Sequence, residues 1–212
     1  MGGITEYIMA RLLILPGIIL GLSFHEFGHA YASMKLGDPT PKLQGRVTLN
    51  PAAHIDPIGF ISLLLFGFGW GKPVQIDPRW YQHRRRDEII VGLAGVTMNL
   101  LLAILFTAIM SVYYKSAGSF TDSEAGDVIL QILIGCIQIN LVLMIFNLLP
   151  APPLDGFGIL TQVFRLDTKS WYPRLYQLGP MILIILIIMD VTSMILTPAV
   201  TWCYNTLIGI FF

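Results

Sequence analysis

Two histidines four residues apart, with a glutamate directly after the first, stand in Ser23-Phe24-His25-Glu26-Phe27-Gly28-His29-Ala30. On a helix such residues share one face, so His25 and His29 aim their imidazoles at one point while Glu26 projects about a quarter-turn away. This is the H-E-x-x-H arrangement, in which two imidazoles hold zinc and the glutamate acts as general base to a metal-activated water. The bland alternative is a satisfied polar cluster or a helix–helix contact. Against it, the chain has only four His, two of them fall at this spacing, and almost everything else between positions 7 and 36 is apolar. Ionisable groups are costly in hydrocarbon and mark function where they occur.

A catalytic zinc takes three protein ligands and keeps one position open. Four residues compete for the third place: His54, Asp56, His83 and Asp155. His83 stands among arginines, which disfavour a nearby dication, and suits a membrane interface. His54 and Asp56 flank a turn, which they can hydrogen-bond, or they can support the site from outside. Asp155 is the strongest. Pro150, Pro152 and Pro153 forbid regular helix before it and force an extended segment. Its carboxylate can cap a short helix over 156–163 with one oxygen and bind metal with the other.

The elements that must position these residues are those of an integral membrane protein. The 212 residues are 55% hydrophobic and 12% charged, with mean hydropathy +0.70, where soluble domains are nearer a quarter charged. A single domain over 1–212 is expected, with no room for a large soluble one. Formal net charge is zero, which removes the basic signature of nucleic-acid binding. Cys136 and Cys203 sit in apolar runs without a CxxC neighbour and read as small packing residues. The fold class is all-α and polytopic, with about five transmembrane helices, over 7–36, 88–114, 128–149, 175–189 and 199–212. The 14 residues 57–70 are apolar but short for a crossing and suit a re-entrant element. Gly67, Gly69, Gly71 and Pro73 mark irregular backbone there, tolerated at membrane depth only inside protein or against water. A short β-like stretch is expected near 43–50. Arg11 before an apolar run imitates a signal peptide. Cleavage near Ala30 or Ala32 would remove the His/Glu cluster, so the first span is read as uncleaved.

Lys and Arg gather at 35–46, 79–86 and 165–174, and such clusters favour the cytoplasmic side. An outside N-terminus, a dip at 57–70 and an inside C-terminus satisfy them. His25 and His29 then lie roughly 10–15 Å deep, on the cytoplasmic side, and Asp155 emerges at the same side.

The two stretches His25-Glu26-Phe27-Gly28-His29 and Asn147-Leu148-Leu149-Pro150-Ala151-Pro152-Pro153-Leu154-Asp155-Gly156 resemble the site-2 protease family of intramembrane zinc metalloproteases. Gly45-Arg46-Val47-Thr48-Leu49-Asn50-Pro51, Gly71-Lys72-Pro73-Val74 and Ala94-Gly95-Val96-Thr97-Met98-Asn99 add to the resemblance, which covers about residues 20–160. Val96 stands where the family commonly has proline. The chain resembles the short members, without an inserted PDZ or an appended CBS module. The resemblance implies one catalytic Zn2+ bound by His25, His29 and Asp155, with Glu26 as catalytic base. It implies that Asn147 contacts substrate or the oxyanion and that Asn99 positions substrate-side loops. The implied activity is hydrolysis of peptide bonds in or near transmembrane segments of single-span membrane-protein substrates. The implied setting is a prokaryotic cell membrane, with the site toward the cytoplasm. Residues 43–50 are expected to offer a strand edge to an unwound substrate. Two other readings stand beside this one. A proton or metal transporter or channel could use the same cluster, although the chain has no repeated half with matching broken helices. A catalytically dead scaffold would not need Glu26 beside His25.

Overall fold

Long apolar runs bounded by charge, glycine and proline become the helices. The computed structural model describes residues 2–66 and 69–212. In chain order it has α1 (Gly2–Lys35), α2 (Thr40–Leu43), α3 (Pro57–Phe66), α4 (Arg84–Ser116), α5 (Glu124–Asn147), α6 (Asp155–Phe164), α7 (Tyr172–Ile188) and α8 (Val191–Phe211). α1 closes with Lys35 in its last turn, followed by Gly37 at φ 109°, a conformation that L side chains rarely adopt. α5 opens on Ser123, whose hydroxyl accepts from the Gly126 amide at 3.1 Å. Glu124 and Asp127 in the first turn complement the helix dipole.

Met9–Lys35 of α1, together with α4, α5 and α8, are long and apolar enough to cross a membrane. Their relative directions follow from side-chain contacts. Gly17 and Gly21 of α1 press against Cys136 and Asn140 of α5, where a Cβ would come within 2.8 and 3.1 Å, so α1 and α5 run parallel. His25 meets Asn99 and His29 meets Val91, so α1 and α4 run antiparallel. The last turns of α1 and α5 and the first turn of α4 therefore share one end of the bundle, and residues 36–83 leave and return there. Leu207 of α8 joins Ala103, Met110, Leu133, Ile137 and Leu141 in a buried core. The outward faces are apolar too, with Leu105, Val112, Met194, Trp202 and Ile210 exposed. Helices apolar all round suit lipid rather than water.

At the shared end a buried carboxylate ties the return loop down. Asp38 accepts from Ser33 Oγ at 2.8 Å, the Thr40 amide at 2.9 Å and the Asp77 amide at 2.8 Å. The Ser33 proton is committed to Asp38, so the Tyr81 hydroxyl donates to Ser33 Oγ at 2.7 Å.

Several expectations change. No strand forms over 43–50, nor elsewhere among the described residues. Pro41 near the start of α2 and Gly45 at φ 66° curl the chain. The polar groups beyond bond locally, with Thr48 Oγ1 accepting from the Asn50 amide and the Thr48 carbonyl accepting from His54. Such local bonds compete with a ladder, and the strand edge expected for substrate is lost with it. β pairing among the described residues is limited to a bridge between Ile55 and Gly71. α3 has 10 residues, about 15 Å of helix, too little for a crossing. Gly59 and Gly69 bring its start into backbone contact with the returning chain at Trp70. Gly67 and Phe68 lie outside the described residues.

The span expected over 175–189 becomes α7, whose 17 residues contain Pro180. It does not lie in the bundle core: Leu183 packs on Leu149 and Leu154, and Gly179 packs on Pro152. α8 then runs the length of the bundle. The Phe211 carbonyl accepts from Ser111 Oγ at 2.8 Å and from Lys115 Nζ at 3.2 Å. Phe211 therefore sits at the end that carries the 117–123 loop, the opposite of what five alternating crossings require.

Candidate metal centre

Three elements converge on one point. α1 supplies His25 and His29 from successive turns. α6 supplies Asp155 as its first residue, where a negative charge complements the helix N-terminus. α4 runs Val91, Gly95 and Asn99 along one face at spacing four. Gly95 is required by the approach: a Cβ there would overlap His29 Nε2 and lie 2.7 Å from His25 Cε1.

The two Nε2 atoms are 3.0 Å apart, and Asp155 Oδ2 is 3.2 Å from each. His29 Nδ1 faces the Val91 carbonyl at 2.8 Å, which only accepts, so Nδ1 carries the proton. His25 Nδ1 faces Asn99 Oδ1 at 2.7 Å. The Asn99 amide nitrogen is occupied by Gly21 O and Asn140 Oδ1, both at 3.0 Å, so oxygen faces His25 and its Nδ1 is protonated as well. Both Nε2 lone pairs then point at each other and at a carboxylate oxygen that has no hydrogen-bond donor. Three lone pairs at 3.0–3.2 Å repel one another unless a metal ion or a proton lies between them. These separations suit donors about 2.0–2.1 Å from a shared zinc. Two neutral imidazoles and a carboxylate fit that ion.

Glu26 lines the same cleft, with Oε2 accepting from the Val74 amide at 2.8 Å. Buried Arg46 stands 4.0 Å from Oε2 and donates to the Lys72 carbonyl. The cleft has a volume of about 740 Å³. Trp70 and Val74 line one side and Tyr172, Tyr176 and Leu183 another, with Asn147 on the wall. Asn147 Nδ2 donates to the Leu143 carbonyl of its own helix at 2.9 Å.

Sequence reasoning singled out His25, Glu26, His29, Asp155 and Asn147, and all five border this cleft. Residues 148–154 form turns instead of an extended run. Asp155 does not cap α6, whose N-cap is Leu154. The other three candidates lie elsewhere. His54 is buried and donates to the Thr48 carbonyl at 2.7 Å. Asp56 accepts from the Gly59 amide at 2.8 Å. His83 is exposed just before α4. What the sequence did not reveal was the support of the imidazoles. Asn99 faces His25 rather than a substrate loop, and Val91, Gly95 and Asn140 were not singled out for this. The available signals were the spacing of Gly95 and Asn99 and two amides inside apolar helices.

The comparisons agree with this chemistry. The chain is 34% identical over 196 residues to YwhC of Bacillus subtilis (strain 168), covering 92% of this chain and 88% of that one. It is 29% identical over 206 residues to Rip2 of Mycolicibacterium smegmatis, covering 94% and 76%. It is 28% identical over 158 residues to MJ0611 of Methanocaldococcus jannaschii, covering 72% and 71%. Each of these relatives is named as a candidate zinc metalloprotease. No family model and no solved structure matches the chain.

Proposed function

The chain belongs to a zinc metalloprotease family, and from that premise we propose that it is an intramembrane zinc endopeptidase of the site-2 protease type. It cleaves peptide bonds in or near the transmembrane segment of single-span membrane proteins, in a prokaryotic cell membrane. The observation that carries the reading is the meeting of His25, His29 and Asp155, lone pairs inward, among helices apolar enough for lipid. The basic clusters flank the bundle end nearest this point, which supports a site toward the cytoplasm.

His25, His29 and Asp155 would hold the ion, which when bound would supply a water of lowered pKa and a Lewis acid for the scissile carbonyl. Glu26 takes a proton from the attacking water and delivers it to the leaving amine, so one water is consumed as the C–N bond breaks. The Val74 amide holds Oε2 in place, which leaves Oε1 for the proton. Asn147 turns its amide from Leu143 O toward the developing oxyanion, a donor worth roughly 3 kcal/mol. The cleft between Trp70 and the α6–α7 side accommodates a peptide whose helix has opened.

The deciding experiment is cleavage of single-span substrates by the purified chain in detergent, beside Glu26→Gln and a chelator. Glu26→Gln keeps one zinc per chain and loses about 100- to 10,000-fold in rate. Chelation abolishes cleavage and added zinc restores it. Full activity of Glu26→Gln, or metal flux in liposomes without cleavage, overturns the protease reading.

A further inference from the structure

Asn140 is fully buried in α5, and the mechanism above does not use it. Its Nδ2 donates to the Cys136 carbonyl at 2.9 Å. That bond fixes the amide with Oδ1 toward Asn99, whose Nδ2 it accepts at 3.0 Å. The second Asn99 N–H goes to the Gly21 carbonyl at 3.0 Å. Turning the Asn99 amide over would set its oxygen against two acceptors and its N–H against His25 Nδ1. His25 would then carry its proton on Nε2, facing His29 Nε2 at 3.0 Å, and could not bind a metal through that atom. The packing of α1 on α5 maintains the chain of bonds: a Cβ on Gly21 would come within 3.1 Å of Asn140 Oδ1 and 2.7 Å of Leu143 Cδ1.

We infer that Asn140 is a positioning residue for the metal centre, which acts through Asn99 to hold His25 in the tautomer whose Nε2 lone pair faces His29 and Asp155. A plain helix–helix hydrogen bond would be served by either orientation of the two amides. The metal centre requires one orientation, and the Cys136 carbonyl, acting through Asn140, selects it together with the Gly21 carbonyl. The inference rests on the reading of His25 as a zinc ligand.

The test uses the full chain in detergent, labelled with 15N-histidine, with metal removed and at alkaline pH. Zinc affinity is measured separately by competition with a chromophoric chelator. The wild-type chain shows His25 with its proton on Nδ1 and binds one zinc. Asn140→Leu keeps its helicity, shows mixed His25 tautomers and binds zinc about tenfold or more weakly. A wild-type His25 protonated on Nε2 overturns the inference without recourse to any variant. Equal zinc affinity in wild type and Asn140→Leu overturns the role of Asn140 alone. A wild-type chain that binds no zinc overturns the zinc reading itself.

Discussion

A carboxylate oxygen of Asp155 lies 3.2 Å from each of two imidazole nitrogens whose partner nitrogens face the Val91 carbonyl and Asn99 Oδ1. The chemistry of the centre begins with that geometry. Gly95 guards it from the α4 side, because a methyl group there would occupy the space of the His29 ring. Gly95→Ala therefore displaces the imidazoles, and its zinc content falls well below one per chain while circular dichroism is unchanged. Metal analysis of the purified variant checks this. The His/Glu cluster and Asp155 were legible because their residue types are rare in this chain and their spacing is specific. The amide behind His25 was not legible. Asn99 is 74 positions away in sequence, and no local pattern states which end of an amide faces a ring.

At the scale of elements, the excursion 36–83 holds Glu26 with the Val74 backbone amide, and its Arg46 guanidinium stands 4.0 Å from the same oxygen. Val74→Pro removes the N–H that Glu26 Oε2 accepts. Losing a charge-assisted bond of about 1.5–3 kcal/mol lowers the cleavage rate roughly 10- to 100-fold, with zinc content unchanged. The same excursion responds to acid. Burial pushes the His54 imidazole below its ordinary value of 6.5, against the Thr48 carbonyl that accepts from it, and nearby Arg46 adds to the depression. Between the lowered folded value and 6.5 the unfolded chain binds more protons, so stability falls as pH drops below 6.5 and continues to fall through the folded value. Thermal melts from pH 7 downward in detergent measure this, and His54→Gln flattens the slope. The expected strand at 43–50 failed for a local reason: turns at Pro41 and Gly45 and the bonds of Thr48 leave no free edge.

At the scale of the whole molecule, the crossing number decides where the chain ends. α1, α4, α5 and α8 are long and apolar enough to cross, α7 packs outside the core, and the end of α8 lies by the 117–123 loop. Single cysteines introduced at Gly118 and Phe212 should both react with an impermeant maleimide on intact cells. Lys42 and Arg165 replaced by cysteine should react only after permeabilisation. Protection of the position-212 cysteine beside a reactive position 118 would restore an odd number of crossings.

The sequence by itself determined the membrane setting, the helical class and the residue types that meet at the candidate metal centre. Hydropathy and short-range spacing are properties of contiguous residues, so they can be read along the chain. Tertiary structure alone decided which tautomer each imidazole holds, that Glu26 is steadied by the Val74 amide, and that α7 packs outside the core while α8 runs the length of the bundle. Those outcomes depend on hydrogen-bond direction and helix packing between segments tens of residues apart, and neither leaves a periodic trace in the chain.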